Sequence, residues 1–249
     1  MSYLTAEKVV ASLLRSAPDR TARVPPHLVV AFDRDLFEAI RSALDARPAP
    51  DWLYADRPAR RLYVAPDRPR LALLHTEIGA PLISFLLELL ASCGLRSVLL
   101  VTSAGAVAPD LPVGSLFVID SAVSENGVTA VLAPERREFL ASPAATARVE
   151  QACARVGVPA PRVRTLSSDL YFRESPRFWS GYQPRPAVVE MEAAAVFATA
   201  DRCGLDAAAV GYVADVLAPE WTRARDGYYP ARRLRLVEVV RAFADDLDA

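Results

Sequence analysis

Ser97-Val98-Leu99-Leu100-Val101, followed at once by Thr102-Ser103-Ala104-Gly105-Ala106, is the stretch on which the fold turns. An unbroken apolar run of this length predicts a strand buried on both faces, and the small residues after it predict a turn. Such strands belong to layered α/β sheets whose helices cover both sides. Upstream, Leu71–His75 reads as another strand, with Glu77-Ile78-Gly79-Ala80-Pro81 turning into a helix over Leu82–Cys93. Before that come a helix over 6–16, a strand over His27–Phe32, the acidic turn Asp33-Arg34-Asp35 and a helix from Leu36 to Leu44. Trp52–Tyr54 and Arg61–Val64 are expected as short strands in a region rich in Pro, Arg and Asp.

Downstream, strands are expected at Leu116–Ile119, Val128–Leu132, Val163–Leu166, Val188–Val189 and Ala207–Val213. Helices are expected over Ala144–Val156, up to about Cys203, and over Arg232–Leu247, with a loop from Arg173 to Pro186. The alternation implies a largely parallel sheet in a single domain over 1–249, with no repeat or linker. Ligands of such sheets bind outside the carboxyl ends of strands. The segments after Phe32, His75, Val101, Leu166, Val189 and Val213 are therefore expected to converge on one face.

Composition narrows the partners. With 52% hydrophobic residues and a net charge of −1, the chain carries no basic block, which argues against nucleic acid as the main partner. Glu88 and Arg96 interrupt the longest apolar stretches, so no membrane span is expected. The first residues lack the layout of a signal peptide, and a cytoplasmic protein is expected. Cys93, Cys153 and Cys203 form no CxxC pair and read as reduced core residues. Two histidines, His27 and His75, are too few for a histidine-rich metal site.

The acids are more informative. Val188-Val189-Glu190-Met191-Glu192-Ala193 places two carboxylates where a strand gives way to a helix, and Asp215 ends the run Ala208-Ala209-Val210-Gly211-Tyr212-Val213-Ala214. Acids at the mouths of buried elements are costly without a partner or a task. Plainer roles are available to each: a first-turn acid for Glu192, a cap or loop ion pair for Asp215, a solvated turn or N-cap for Asp33 and Asp35.

Five segments resemble, in order and spacing, the nucleoside phosphorylase and nucleosidase superfamily. They are Thr76–Pro81 with Glu88-Leu89, Ser103–Val107 with Pro112-Val113-Gly114, Ser167–Phe172, Val189–Ala194, and Val213-Ala214-Asp215. The resemblance implies a three-layer αβα fold with a central mixed, largely parallel sheet, and cleavage of a ribose–nucleobase bond. It places Glu192 on the ribose diol with Met191 against the sugar. Glu190, Ser103, Ala104, Gly105 and Ile78 fall among the substrate contacts, and Tyr171 and Phe172 beside the base, where ordinary core packing is the competing reading. Asp215 falls where purine-acting members keep an acid that serves N7 of the base.

Phosphorylase members carry a Gly-Asp-Pro-x-Arg turn after the first strand. This chain has Phe32-Asp33-Arg34-Asp35-Leu36, so Phe32 and Leu36 stand in the glycine and arginine positions. A second family arginine is matched by Leu100. Losing both guanidinium groups removes charge and bidentate bonding from a phosphate site. Nucleosidases of the superfamily instead carry an acidic turn there, whose glutamate activates water; Asp35 falls at or beside it, with Asp33 the near alternative. The resemblance thus implies hydrolysis of a purine (deoxy)ribonucleoside with water as co-substrate. The alternatives are phosphorolysis at a rebuilt site using Arg34 or a neighbouring subunit, and a non-catalytic binding or storage homologue. It implies no metal or organic cofactor, and a homodimer or a hexamer.

Overall fold

The computed structural model describes residues 3–170, 172, 175, 179–182, 184–217, 220–223 and 228–247. Its elements, in order, are α1 (Ala6–Ser16), β1 (His27–Ala31), α2 (Arg34–Ala43), β2 (Arg47–Pro48), β3 (Leu62–Ala65), β4 (Arg68–His75), α3 (Ala80–Ser92) and β5 (Ser97–Ala106). Then come β6 (Leu116–Glu125), α4 (Gly127–Leu132), β7 (Glu138–Leu140), α5 (Pro143–Arg155), β8 (Arg162–Ser168), β9 (Val188–Glu190), α6 (Ala193–Cys203), β10 (Asp206–Val216), β11 (Thr222–Arg223) and α7 (Tyr228–Asp245).

Alternation along the central strands builds the layers. In β1, Leu28 and Val30 join the core under α1, α3 and α6, while Val29 and Ala31 join the core under α2, α5 and α7. In β5, Val98 and Leu100 face the first core and Leu99 and Val101 the second. A strand with apolar side chains on both faces is stable only between two helical layers, which is the αβα sandwich its sequence implied.

The sheet is mixed. β1 runs parallel to β4 and β5, and β5 parallel to β10. Beyond that the pairings close on themselves: β10 pairs with β6, β6 with β8, β8 with β9, and β9 returns to β5. Gly105 is where the circuit meets, in register with Val189 of β9 and with Asp215 of β10.

Three sequence expectations are corrected. Val128–Leu132 lies in a helix, α4, not a strand. So short an apolar run does not distinguish the two, and Asp169 decides by accepting from the Gly127 N–H at the helix start. Thr102–Ala106 is not a turn but the second half of β5, because β9 and β10 both pair with it. Trp52–Tyr54 is not a strand; Trp52 makes an isolated bridge to Thr21, and its indole donates to the Arg60 carbonyl.

Candidate functional site

β9 ends at Glu190 and α6 begins at Ala193, so the turn between them carries the paired acids. Every residue of α6 from Ala193 to Ala200 is buried, which leaves its first N–H groups without solvent. Glu190 supplies the missing acceptor. Its buried carboxylate accepts from the N–H groups of Glu192 and Ala193, both at 2.7 Å, and from the hydroxyls of Ser167 and Thr165. Ser167 in turn accepts from the Ala194 N–H at 2.9 Å.

Glu192 is 3% exposed, and its Oε1 accepts from the Gly79 N–H at 2.8 Å. Gly79 holds a φ of 125°, a conformation that side-chain-bearing residues rarely adopt. Burial, reinforced by the neighbouring Glu190 charge, pushes the Glu192 carboxyl up to about 8. Burial also pushes Glu190 upward, but the surrounding hydroxyls and N–H groups pull it back. The donors gathered around Glu190 favour its ionised form, and burial beside that charge favours the protonated form of Glu192.

Asn126 fastens the same turn from the other side. Its amide donates to the Met191 carbonyl at 3.2 Å and to Asp169 at 2.8 Å. Neither Asn126 nor Gly79 was a sequence-level candidate. Their role comes from contacts 65 and 113 residues apart along the chain.

Asp215 follows a register shift in β10 between Val213 and Asp215, opposite Gly105. Its Oδ2 accepts from the Trp221 indole N–H at 2.8 Å. On the far side, a Cβ added to Gly105 would lie 3.2 Å from Oδ1 and 2.9 Å from Leu217. Asp33 is the N-cap of α2: Oδ1 accepts from the Leu36 N–H at 3.0 Å, and Oδ2 from the Tyr212 hydroxyl at 3.3 Å.

Asp33, Glu190, Glu192 and Asp215 line one cavity of about 230 Å³. All six segments expected to converge reach it, through Phe32 and Asp33, Ile78, Thr102 to Gly105, Ser168 and Leu170, Val189 to Glu192, and Ala214, Asp215 and Leu217. They do so because the sheet closes, since β9 runs antiparallel to β5 and returns its carboxyl end to the same place. Met191, Ser103, Ala104, Gly105 and the exposed Ile78 therefore line it together with the acids.

Other sequence candidates lie elsewhere. Asp35 is exposed in the first turn of α2 and is not a lining residue. Phe172 is 93% exposed and also outside the lining, and Tyr171 lies outside the described residues. Leu100 and Leu36 are fully buried, away from the cavity. The described lining carries the carboxyls of Asp33, Glu190, Glu192 and Asp215 and no lysine, arginine or histidine. Among the described residues, no group of three or more His, Cys, Asp and Glu side chains is placed to hold a metal ion.

Comparison with known proteins places this arrangement. Residues 22–243 match the family described as the phosphorylase superfamily. Uridine phosphorylase of Salmonella typhimurium is 29% identical over 112 residues, 45% of this chain and 44% of that protein. Uridine phosphorylase of Escherichia coli is 27% identical over 60% of this chain and 58% of its own length. A DeoD-type purine nucleoside phosphorylase of Caldanaerobacter subterraneus is 24% identical over 59% of this chain and 65% of its own. The matched part thus spans roughly half the length of these curated relatives. Purine nucleoside phosphorylase of Toxoplasma gondii, solved with immucillin-H, shares the fold with a TM-score of 0.78 at 18% identity, covering 92% of this chain and 96% of that one. With nearly its whole length inside the family match and the same fold around the cavity, the chain belongs to the phosphorylase superfamily.

Proposed function

We propose that the protein cleaves the N-glycosidic bond of a purine (deoxy)ribonucleoside with water as the nucleophile. The observation that carries this is a cavity walled by four carboxyls with no cationic side chain among its described lining residues. A phosphate dianion there would meet like charge and no fork-shaped donor. Water would not, and negative charge favours the cationic sugar of the transition state.

The roles follow from placement. The ribose diol offers two O–H donors to Glu192, with Met191 against the sugar. Water attacks C1′ and gives a proton to Asp33, which lines the cavity where Asp35 does not. Asp33 also caps α2, accepting from the Leu36 N–H, and accepts from the Tyr212 hydroxyl, which fixes its side chain at the cavity wall. The C1′–N9 electron pair leaves with the base, and Asp215 protonates that base at N7. The products are free sugar and free purine. Acid and base assistance of this kind contributes about 10²–10⁴-fold.

Phosphorolysis is the second reading, favoured by the names of the three curated relatives compared above, all phosphorylases, two of uridine and one of purine nucleosides. Assaying base release from purine and pyrimidine nucleosides, with and without phosphate, separates the two. Release of purine and free ribose without phosphate is expected. Phosphate-dependent release with ribose 1-phosphate as product would replace hydrolysis with the second reading.

A further inference from the structure

We propose that Trp221 is a positioning residue that decides which oxygen of Asp215 presents the proton to the base. The inference rests on the reading of Asp215 as the acid of purine release. Trp221 stands just before β11, whose Thr222 and Arg223 pair with Val216 and Asp215 of β10. That pairing brings the indole back to the strand end, where its N–H donates to Oδ2 of Asp215 at 2.8 Å. The indole is 63% exposed, so its position is not explained by core packing.

An indole nitrogen only donates. In a neutral carboxyl the oxygen that accepts is the carbonyl oxygen, so the proton belongs on the other, Oδ1. That oxygen lies beside Gly105, which lines the cavity with Asp215 and carries no Cβ to crowd it. When Oδ1 gives its proton to the base as the C1′–N9 bond breaks, Asp215 becomes an anion. The bond from Trp221 strengthens with that charge, because charge-assisted hydrogen bonds exceed neutral ones. The indole thus orients the acid before transfer and stabilises its conjugate base after it.

Two measurements test this, the first without substrate. Proton–nitrogen NMR of the indole groups, with Trp52 and Trp179 as internal references, should show a Trp221 signal that follows one acid titration. That titration should vanish in Asp215→Asn. A Trp221 signal indifferent to pH and to Asp215→Asn would overturn the proposal. The second is the pH profile of purine release by Trp221→Phe, which keeps an aromatic ring but no N–H.

Trp221→Phe is expected to lower kcat roughly ten-fold with little change in KM, with a pH profile that differs in shape from that of the wild type. Among the described residues, the other ionisable groups around Asp215 are Asp33, Glu190 and Glu192 in the cavity and Arg223 at its register position in β11, and all are retained. A Trp221→Phe profile superimposed on that of the wild type would also overturn the proposal. If the wild type releases no purine, the functional reading fails by itself, and the NMR measurement still decides whether Trp221 orients Asp215.

Discussion

The Glu190 carboxylate accepts from the backbone N–H of Glu192 at 2.7 Å, while the Glu192 carboxyl reaches across to the Gly79 N–H at 2.8 Å. Two acids separated by one methionine thus do different work. The inner one closes the start of a helix buried from Ala193 to Ala200, and the outer one is held at the cavity wall by it. Removing the inner acid leaves the N–H groups of Glu192 and Ala193 and the Ser167 hydroxyl without their acceptor. Glu190→Ala is expected to destabilise the protein by about 3 kcal/mol, measured by urea unfolding. A loss below about 0.5 kcal/mol would show that the helix start does not depend on it.

Glu192 makes ligand binding pH-dependent. Its carboxyl is raised to about 8, so it carries a proton at neutral pH in the empty cavity. Accepting two bonds from a ribose diol requires the ionised form, so binding expels that proton. Nucleoside affinity is expected to rise as pH climbs toward 8 and to level off above it. Calorimetry in buffers of different ionisation enthalpy should register proton release near pH 7, and Glu192→Gln should abolish it.

The same shift fixes a stability trend. The folded state keeps a proton on Glu192 that the unfolded chain releases near its ordinary value of 4.5. Between that value and about 8 the folded state binds more protons, so stability falls as pH rises through this window. Glu192→Gln should flatten the slope in urea titrations taken across it; an unchanged slope would assign the trend to other groups.

Asp215 and Asp33 are separable by substitution. Asp215→Asn is expected to lose turnover by roughly 10²-fold or more with a modest change in binding. Asp33→Asn should depress turnover, while Asp35→Asn, on the exposed first turn of α2, should leave it near wild type. Full activity in Asp33→Asn with loss in Asp35→Asn would reverse the assignment of the water-activating base.

Gly105 has no room for a methyl group. A Cβ there would press on Leu217 at 2.9 Å and on Asp215 Oδ1 at 3.2 Å. Gly105→Ala should therefore impair turnover out of proportion to its effect on stability, read by comparing kcat with the unfolding midpoint. Unaltered kcat would mean that Leu217 yields alone.

Local pattern alone carried the layered fold a long way. The apolar runs at His27–Ala31, Leu71–His75 and Ser97–Val101 could be buried only between helices, and the structure places them so. Matching of short segments likewise singled out Glu190, Met191, Glu192, Ser103 and Asp215, which line one cavity. What pattern could not supply was any quantity set by contacts distant in the chain. Asp33 and Asp35 are chemically alike and two residues apart. Only the turn of α2 and the Tyr212 hydroxyl put one in the cavity and leave the other outside.

The division between Glu190 and Glu192 has the same origin, since Ser167, Thr165 and Gly79 come from other strands and turns. Trp221 carried no signal in the sequence, because a single indole gains meaning only when β11 folds it back onto Asp215. Sequence determined the long central strands and the helices that cover them, since those depend on side-chain periodicity within a few residues, whereas α4 and the second half of β5 were set by their tertiary partners. Closure of the sheet at Gly105 decided which side chains meet, because hydrogen bonding and desolvation act over ångströms in space and are indifferent to distance along the chain.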